Sequence, residues 1–297
     1  MFKRILVLLD TSPIAEQVIP CARLLASKLG GTVILFHAVE PARRDQHGGA
    51  PADADTLRAR AMAYLETVGE GFRSAGVPVE REVRMAHAAD AVLDYAAHEQ
   101  VDLIAMATHG RGGIQRWAYG SVADKVLHAG RTPLLLVRAH PLSPAPPQTL
   151  RRIMVTLDRS ELAEQALPYA LQVAKAFDAE ILLYHIWDTS GYTFDVSHDP
   201  AVERVMRDTF SYSQNYLVEM THKLLSEGVR VQWQAESGNV ANHILGAAEK
   251  QSVDLVVMST HGLSGLGRWM LGSVADRVLR HSVKPVLLIR TLETAKK

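Results

Sequence analysis

The 297-residue sequence has a single cysteine, no long apolar run and no excess of either charge. A lone Cys21 excludes a disulfide within the chain, and its place in the apolar pattern of a helix favours a buried structural thiol. Because a bilayer span needs about 18 consecutive apolar residues, none is predicted. The opening segment MFKRILVLLDTS is too short for a secretory signal and is interrupted early by Asp10, so we expect a cytoplasmic protein.

Charge and metal-ligand patterns argue against two further classes of protein. The 32 basic and 32 acidic residues give a formal net charge of zero, so we expect no nucleic-acid partner. The 13 histidines form no HExxH motif and no cluster with aspartate at ligand spacing. We therefore expect no metal site built from side chains.

What the sequence does contain is a duplication. Residues 102–138, DLIAMATHGRGGIQRWAYGSVADKVLHAGRTPLLLVR, reappear at 254–290 as DLVVMSTHGLSGLGRWMLGSVADRVLRHSVKPVLLIR. Both halves also open alike, with KRILVLLDTSPIAEQVIP from Lys3 and RRIMVTLDRSELAEQALP from Arg151. The chain is therefore predicted to hold two copies of one domain.

The predicted boundaries follow from the repeat and from composition. One domain is expected at 1–140 and the other at 151–292, each long enough to bury its own core. The intervening segment 141–150 is rich in proline and has no hydrophobic period, which is typical of a semi-rigid linker. The offset between copies grows from 148 to 152 residues, so four residues were gained in a surface loop near 189–209, opposite 41–57.

Each copy alternates apolar strands with helical patterns. A first helix is expected to begin near Ser12 and Pro13 and to end at Gly30, with a kink at Pro20. Strict alternation of strands and helices predicts an α/β fold with a parallel, doubly wound sheet. In the first copy, strands are expected at 5–9, 33–36, 79–83, 103–106 and 134–137, and further helices at 57–74, 90–99 and 122–128.

Any chemistry is expected where the strand ending at Met106 meets the following helix. In an open parallel sheet, ligands bind beyond the carboxyl ends of the strands, and a helix N-terminus offers free N–H groups to a phosphate. Gly110 and Gly120 let the backbone approach a ligand closely. Ser121 can instead cap its helix together with Asp124, or turn its hydroxyl toward an anion. His37 and His185 are interpreted as hydrogen-bonded core histidines.

These motifs resemble the universal stress protein family, whose nucleotide-binding members show G-x-x-G, nine residues, then G-[S/T]. Nine residues separate Gly110 from Gly120, and nine separate Gly262 from Gly272. The strand openings ILVLLD and IMVTLD agree, so the resemblance covers nearly the entire chain. It implies two tandem Rossmann-like domains of the adenine nucleotide alpha hydrolase-like type, each with a five-stranded parallel sheet.

The resemblance also implies an adenine nucleotide as ligand, with or without magnesium. The acid after the first strand meets adenosine, the residue after the second-strand histidine packs on the base, and the later loop and helix start hold phosphates. In the first copy these are Asp10, Ala38, Met106, Ala107, His109, Gly110, Gly120, Ser121, Val122 and Ala123. In the second copy they are Asp158, Ile186, Met258, Ser259, His261, Gly262, Gly272, Ser273, Val274 and Ala275.

One position departs from the family pattern, and another differs between the two copies. The first loop glycine is replaced by Ala107 in one copy and by Ser259 in the other, which carries a steric cost if the position needs a positive φ. Gly238, at the end of the third strand, is matched by Ala86 in the first copy.

Three functions stay open at this point. The leading hypothesis is a non-catalytic, nucleotide-binding stress regulator in which ATP occupancy sets the conformation or association of the domains. A nucleotide-free scaffold is the alternative that the missing glycines favour. A slow ATPase or phosphotransferase is the third, although the chain has no Walker lysine and no general-base candidate beyond His109 and His261.

The last strand of each domain bears on association. Residues 134–137 and 286–289 are apolar and form potential sheet edges, which need cover. The family usually pairs through this strand, so we expect the two domains to cover each other as an intramolecular pseudo-dimer. Further association into a homodimer is left open.

Overall fold

The computed structural model describes residues 1–40, 53–109, 120–139, 148–189, 200–260 and 271–290. The chain divides into two compact units, Met1–Gln148 and Thr149–Lys297. Within the described ranges, no helix has both the length and the apolar character needed to cross a membrane.

The first unit is a five-stranded parallel sheet with the strand order β3-β2-β1-β4-β5. A short 3-10 turn, Ala15–Val18, precedes its first α-helix. The elements are β1 Arg4–Leu8, α1 Ile19–Leu29, β2 Thr32–Val39, α2 Ala54–Arg73, β3 Val79–Met85, α3 Ala88–His98, β4 Leu103–His109, α4 Ser121–Ala129 and β5 Leu134–Ala139.

The second unit repeats this topology with the strand order β10-β9-β6-β7-β8. The predicted α/β class with a doubly wound, five-stranded parallel sheet in each domain is therefore confirmed. The elements are β6 Arg152–Leu157, α5 Glu161–Glu164, α6 Leu167–Phe177, β7 Glu180–Asp188, α7 Pro200–Leu225, β8 Val231–Gly238, α8 Val240–Lys250, β9 Leu255–Ser259, α9 Ser273–His281 and β10 Val286–Ile289.

The central strands form the core because helices cover both faces of each sheet. In β1, Ile5, Leu6 and Val7 are wholly buried, and Ile153 and Val155 are equally buried in β6. A strand without an exposed face carries a continuous apolar run instead of alternating residues, which is why the sequence pattern located it. Full burial of each such side chain contributes about 1.5–3 kcal/mol.

The kink predicted at Pro20 is wrong. The segment before it is a separate 3-10 turn, and α1 begins at Ile19, so Pro20 lies in the first turn of the helix. Pro168 occupies the same place at the start of α6. Because the N–H groups of a first turn have no intrahelical partner, proline costs no hydrogen bond there.

The length difference between the copies lies at the start of the equivalent helices α2 and α7. α2 and α7 end at equivalent positions, Arg73 and Leu225, but α7 has 26 residues and α2 has 20. The additional chain in the second copy therefore lengthens the start of α7. Of the predicted loop segments 41–57 and 189–209, residues 54–57 and 200–209 are helical, whereas 41–52 and 190–199 lie outside the described residues.

Candidate functional site

The topology opens a crevice at the same place in both units. Strand β1 lies between β2 and β4, and β6 lies between β7 and β9. The connections leave the central strand in opposite directions on its two sides, so the loops at the carboxyl ends separate. This is the switch point at which open parallel sheets bind their ligands.

In the second unit the crevice is a cavity of about 420 Å³. That volume is within the range of about 300–1,000 Å³ of small-molecule sites. The ends of β6, β7 and β9 and the starts of α8 and α9 line it. It brings together eight of the ten residues predicted for this copy, namely Asp158, Ile186, Met258, Ser259, Gly272, Ser273, Val274 and Ala275, whereas His261 and Gly262 lie outside the described residues.

The start of α9 faces this cavity with backbone N–H groups that have no partner within the helix. Gly272 is the N-cap, with φ −61° and ψ 147°, and its carbonyl accepts the N–H of Asp276 at 2.9 Å. The N–H of Gly272 donates to the carbonyl of Thr260 at 2.9 Å, which ties the cap to the end of β9. The N–H groups of residues 273–275 therefore have no partner within the helix, and the positive end of the helix dipole adds to them.

Of the two roles considered for Ser121, the structure excludes capping. The N-cap of α4 is Gly120, whose carbonyl accepts the N–H of Asp124 at 2.9 Å, and Ser121 is already the first helical residue. A side chain bonds the N–H groups of the first turn from the N-cap position, and Ser121 lies one residue beyond it. Ser273 holds the same position in α9.

An aspartate loop follows the first strand of each copy. Oδ1 of Asp158 accepts bonds from the N–H (3.1 Å) and the hydroxyl (2.6 Å) of Ser160, whose Oγ accepts the N–H of Ala163 at 3.0 Å. Oδ1 of Asp10 is bonded in the same way by Ser12, at 3.0 and 2.5 Å. Both carboxylates are thus held at the crevice. The D-x-S sequence was the available signal for this turn, and sequence reasoning missed it.

The residue between Asp and Ser is held in a left-handed conformation in both copies. Thr11 has φ 65° and Arg159 has φ 71°. Non-glycine residues seldom adopt this region, and such strained positions cluster at functional sites. Nothing in the composition of these two residues signals it.

The missing loop glycine proves harmless. Ala107 pairs with Val137 within β4 and β5, and Ser259 pairs with Ile289 within β9 and β10. Both are extended strand residues, and neither has a positive φ. The steric cost considered for a Cβ at this position therefore does not arise.

The first-copy residues lie at the equivalent sheet edge. The register of β1 with β2 and β4 places Asp10, Ala38 and Met106 at the carboxyl ends of adjacent strands. Met106 is buried, whereas Asp10 is exposed. His109 ends β4, Gly110 lies outside the described residues, and Gly120, Ser121, Val122 and Ala123 form the start of α4.

The two strand-end histidines differ. His185 is 3% exposed, and its Nδ1 lies 2.7 Å from the carbonyl oxygen of Leu157, as predicted for a core histidine. Burial lowers the pKa of His185, which the bond to this carbonyl opposes only in part. His37 is half-buried, and burial also lowers its pKa. The Leu9 carbonyl opposes that shift in part, as the Leu157 carbonyl does for His185, so the two histidines differ mainly in exposure.

A polar network lies against the cavity of the second unit, and sequence reasoning missed it. Tyr184 lines the cavity and donates its hydroxyl to Oε2 of Glu236 at 2.8 Å, and Nδ1 of His243 lies 2.5 Å from the same oxygen. The side-chain amide of Gln234 donates to Oε1. Burial opposes ionisation of Glu236, but the bonds to His243 and Tyr184 leave its pKa lowered.

Gly238 is required beside this network. Its φ is 142°, and a Cβ there would lie 2.4 Å from Nε2 of His243. In the first unit the equivalent Ala86 follows the end of β3 at Met85 and does not have a positive φ. The Gly–Ala difference noted in the sequence therefore reflects a different backbone at the end of the third strand.

Comparison with known proteins assigns both halves to one family. The model of the Universal stress protein family matches residues 1–138 and 149–290. A universal stress protein of Methanocaldococcus jannaschii is 31% identical over 140 residues, covering 47% of this chain and 82% of that protein. One from Mycolicibacterium smegmatis is 21% identical over 300 residues, 96% of each chain.

A solved structure shares the fold over the full length. The crystal structure of a universal stress protein from Archaeoglobus fulgidus has a TM-score of 0.70 and 22% sequence identity, and the match covers 98% of this chain and 99% of that chain. At this identity the likeness shows the fold alone.

Proposed function

This chain belongs to the universal stress protein family, with one family domain in each half, and on that basis we propose that it is a stress-response regulator that binds an adenine nucleotide. Nucleotide occupancy would set the conformation or the association of the two domains. The protein would act through binding and not through turnover.

The observation that carries this proposal is the composition of the cavity in the second domain. It combines a carboxylate, Asp158, with the apolar side chains of Ile186 and Met258 and with the first turn of α9. A carboxylate suits ribose or adenine hydrogen bonds, apolar side chains suit the base, and a helix start with free N–H groups suits phosphates. These groups come from four separate parts of the sequence.

Slow ATP hydrolysis receives no comparable support. A phosphate at a helix start is partly prepared for transfer, but catalysis also needs a cation or metal and a positioned base. Among the described residues that line the cavity, Arg159 is a cation, but there is no lysine and His185 is a buried histidine bonded to a carbonyl. Magnesium would accompany the phosphates from solution, and no argument for a protein-built magnesium site arises from the described residues.

The first test is to purify the protein gently without added nucleotide, denature it and identify the released small molecules by chromatography. One or two equivalents of ATP, ADP or AMP per chain would support the proposal. An empty protein whose melting temperature also stays unchanged in millimolar ATP would overturn it and favour the nucleotide-free scaffold.

Two matched variants assign the binding to a domain. Gly272→Val and Gly120→Val crowd the helix starts, and because φ is −61° and −56° at these positions, any residue adopts the backbone without strain. We expect Gly272→Val to abolish ATP binding in calorimetry at the second site. Unchanged stoichiometry and affinity in both variants would contradict binding at these helix starts.

Mutual cover of the last strands belongs to the same proposal. If the domains form an intramolecular pseudo-dimer, the amides of 134–137 and 286–289 should exchange with solvent as slowly as those of β1 in a protein that light scattering shows to be monomeric. Fast exchange along both strands in the monomer would overturn it.

A further inference from the structure

The cavity of the second domain has an unequal charge balance. Its described lining includes two carboxylates, Asp158 and Asp188, and one arginine, Arg159. Two further titratable rings line it, namely His185, which is buried and hydrogen-bonded to a carbonyl, and Tyr184, whose hydroxyl donates to Glu236. An anionic ligand in this cavity therefore meets one arginine among the described residues. Without that arginine, both of the charged side chains left in this lining would be carboxylates.

Arg159 is held at both ends. Its backbone is fixed in the left-handed region, with φ 71°, between Asp158 and Ser160, which are bonded to each other. Its guanidinium lies over the ring of Tyr212 on α7, 4.8 Å from the centroid. Such cation–π packing restricts a long side chain before a ligand arrives, so less entropy is lost on binding.

The first domain lacks this arrangement. By the register of the repeat, Thr11 corresponds to Arg159 and Arg60 corresponds to Tyr212. Thr11 keeps the left-handed backbone, with φ 65°, so the loop is the same and only the side chain differs. The cation and its aromatic support are therefore properties of the second domain and not of the shared fold.

We propose that Arg159 makes the cavity of the second domain selective for phosphorylated ligands, so that it takes a nucleotide in preference to the nucleoside. This inference rests on the proposed function, because it assumes that an adenine compound occupies the cavity. Arg159 adds a positive field within the cavity, which favours phosphates held by the backbone N–H groups of α9. The nucleoside gains nothing from that charge.

The test compares ATP with adenosine by calorimetry in a Gly120→Val background, so that the first domain does not contribute. We expect Arg159→Gln to weaken ATP binding about tenfold and adenosine binding by less than about twofold. Tyr212→Leu, at a ring that is 64% exposed, should weaken ATP binding in the same direction by a smaller factor. Raising the salt concentration should reduce the difference in ATP affinity between the proteins with and without Arg159→Gln.

Arg207→Gln is the matched control, because Arg207 is an exposed arginine of α7 that does not line the cavity. It removes the same charge from the same domain and should leave both affinities unchanged. If Arg159→Gln weakens ATP and adenosine equally, or weakens neither, the selectivity inference is overturned while nucleotide binding stands. If the protein before the arginine change binds neither compound, the proposed function fails and this inference fails with it.

Discussion

The hydroxyl of Tyr184 and Nδ1 of His243 both meet Oε2 of Glu236, at 2.8 and 2.5 Å. By the register of the repeat, Phe36 is the first-domain residue equivalent to Tyr184, and Arg84 is the one equivalent to Glu236. There, the guanidinium of Arg84 lies 5.5 Å from the ring centroid of Tyr95. The two copies share a fold but differ in the polar groups next to the crevice.

Replacing Tyr184 by Phe should lower the free energy of unfolding by about 1–2 kcal/mol, because Glu236 loses one donor. The ring itself should fit, since Phe36 occupies the equivalent strand position. Urea unfolding measures the change, with Tyr212→Phe, at an exposed ring, as the control. Equal stability of Tyr184→Phe and wild type would show that the bond contributes nothing net.

Glu236 should make stability depend on acid pH. Its pKa is lowered in the folded protein, so its stabilising contribution is present above the unfolded value, about 4.3, and is lost as the pH falls through the folded pKa. Glu236→Gln should therefore lose less stability than wild type between about pH 5 and pH 3. Parallel curves for the two proteins in urea unfolding across this window would contradict the expectation.

His185 should act at higher pH. Burial lowers its pKa, so the unfolded chain binds a proton more readily, and stability decreases as the pH falls below about 6.5. His185→Asn should reduce the stability difference between about pH 7.5 and pH 5.5. His98→Asn, at an exposed side chain, is the control for loss of an imidazole. A larger change in stability between these two pH values in His185→Asn than in wild type would contradict the prediction.

Two glycine-to-alanine changes should have opposite effects. Gly238→Ala places a Cβ at φ 142° and against His243, so we expect a loss of about 1–3 kcal/mol. Gly246→Ala lies inside α8 with no atom within 4 Å of the new Cβ, so we expect a gain of about 0.5–1 kcal/mol. Thermal and urea unfolding measure the stability of the two variants. Stability changes of the same sign in Gly238→Ala and Gly246→Ala would contradict the prediction.

Cys21 should be inert in the folded protein. Its side chain is 3% exposed, and burial raises the pKa of its thiol to about 12. Because the thiolate is the nucleophile, reaction with an aromatic disulfide near pH 8 should be about a thousandfold slower than for a free thiol of pKa about 8.5. Rapid labelling of native protein, at the rate seen in concentrated urea, would disprove burial.

The sequence alone determined the tandem organisation, the parallel α/β fold and the sheet edge of the crevice. Strands such as 5–9 and 103–106 were found because a strand buried on both faces is continuously apolar, a property of neighbouring residues. The helix starts at Gly120 and Gly272 were also found from a local signal, because the glycines and their spacing occur in both copies. Local chemistry repeated twice needs no knowledge of distant contacts.

Tertiary structure decided which side chains meet at that crevice. Tyr184 and Glu236 are 52 residues apart and are brought together by the register of β7 with β8. Arg159 reaches Tyr212 only because α7 packs near the end of β6. Pairs of this kind depend on strand register and helix placement, which one residue's neighbours in the sequence do not encode. The backbone of the site therefore follows from local sequence, whereas the set of polar and charged side chains around it follows from the packing of distant elements.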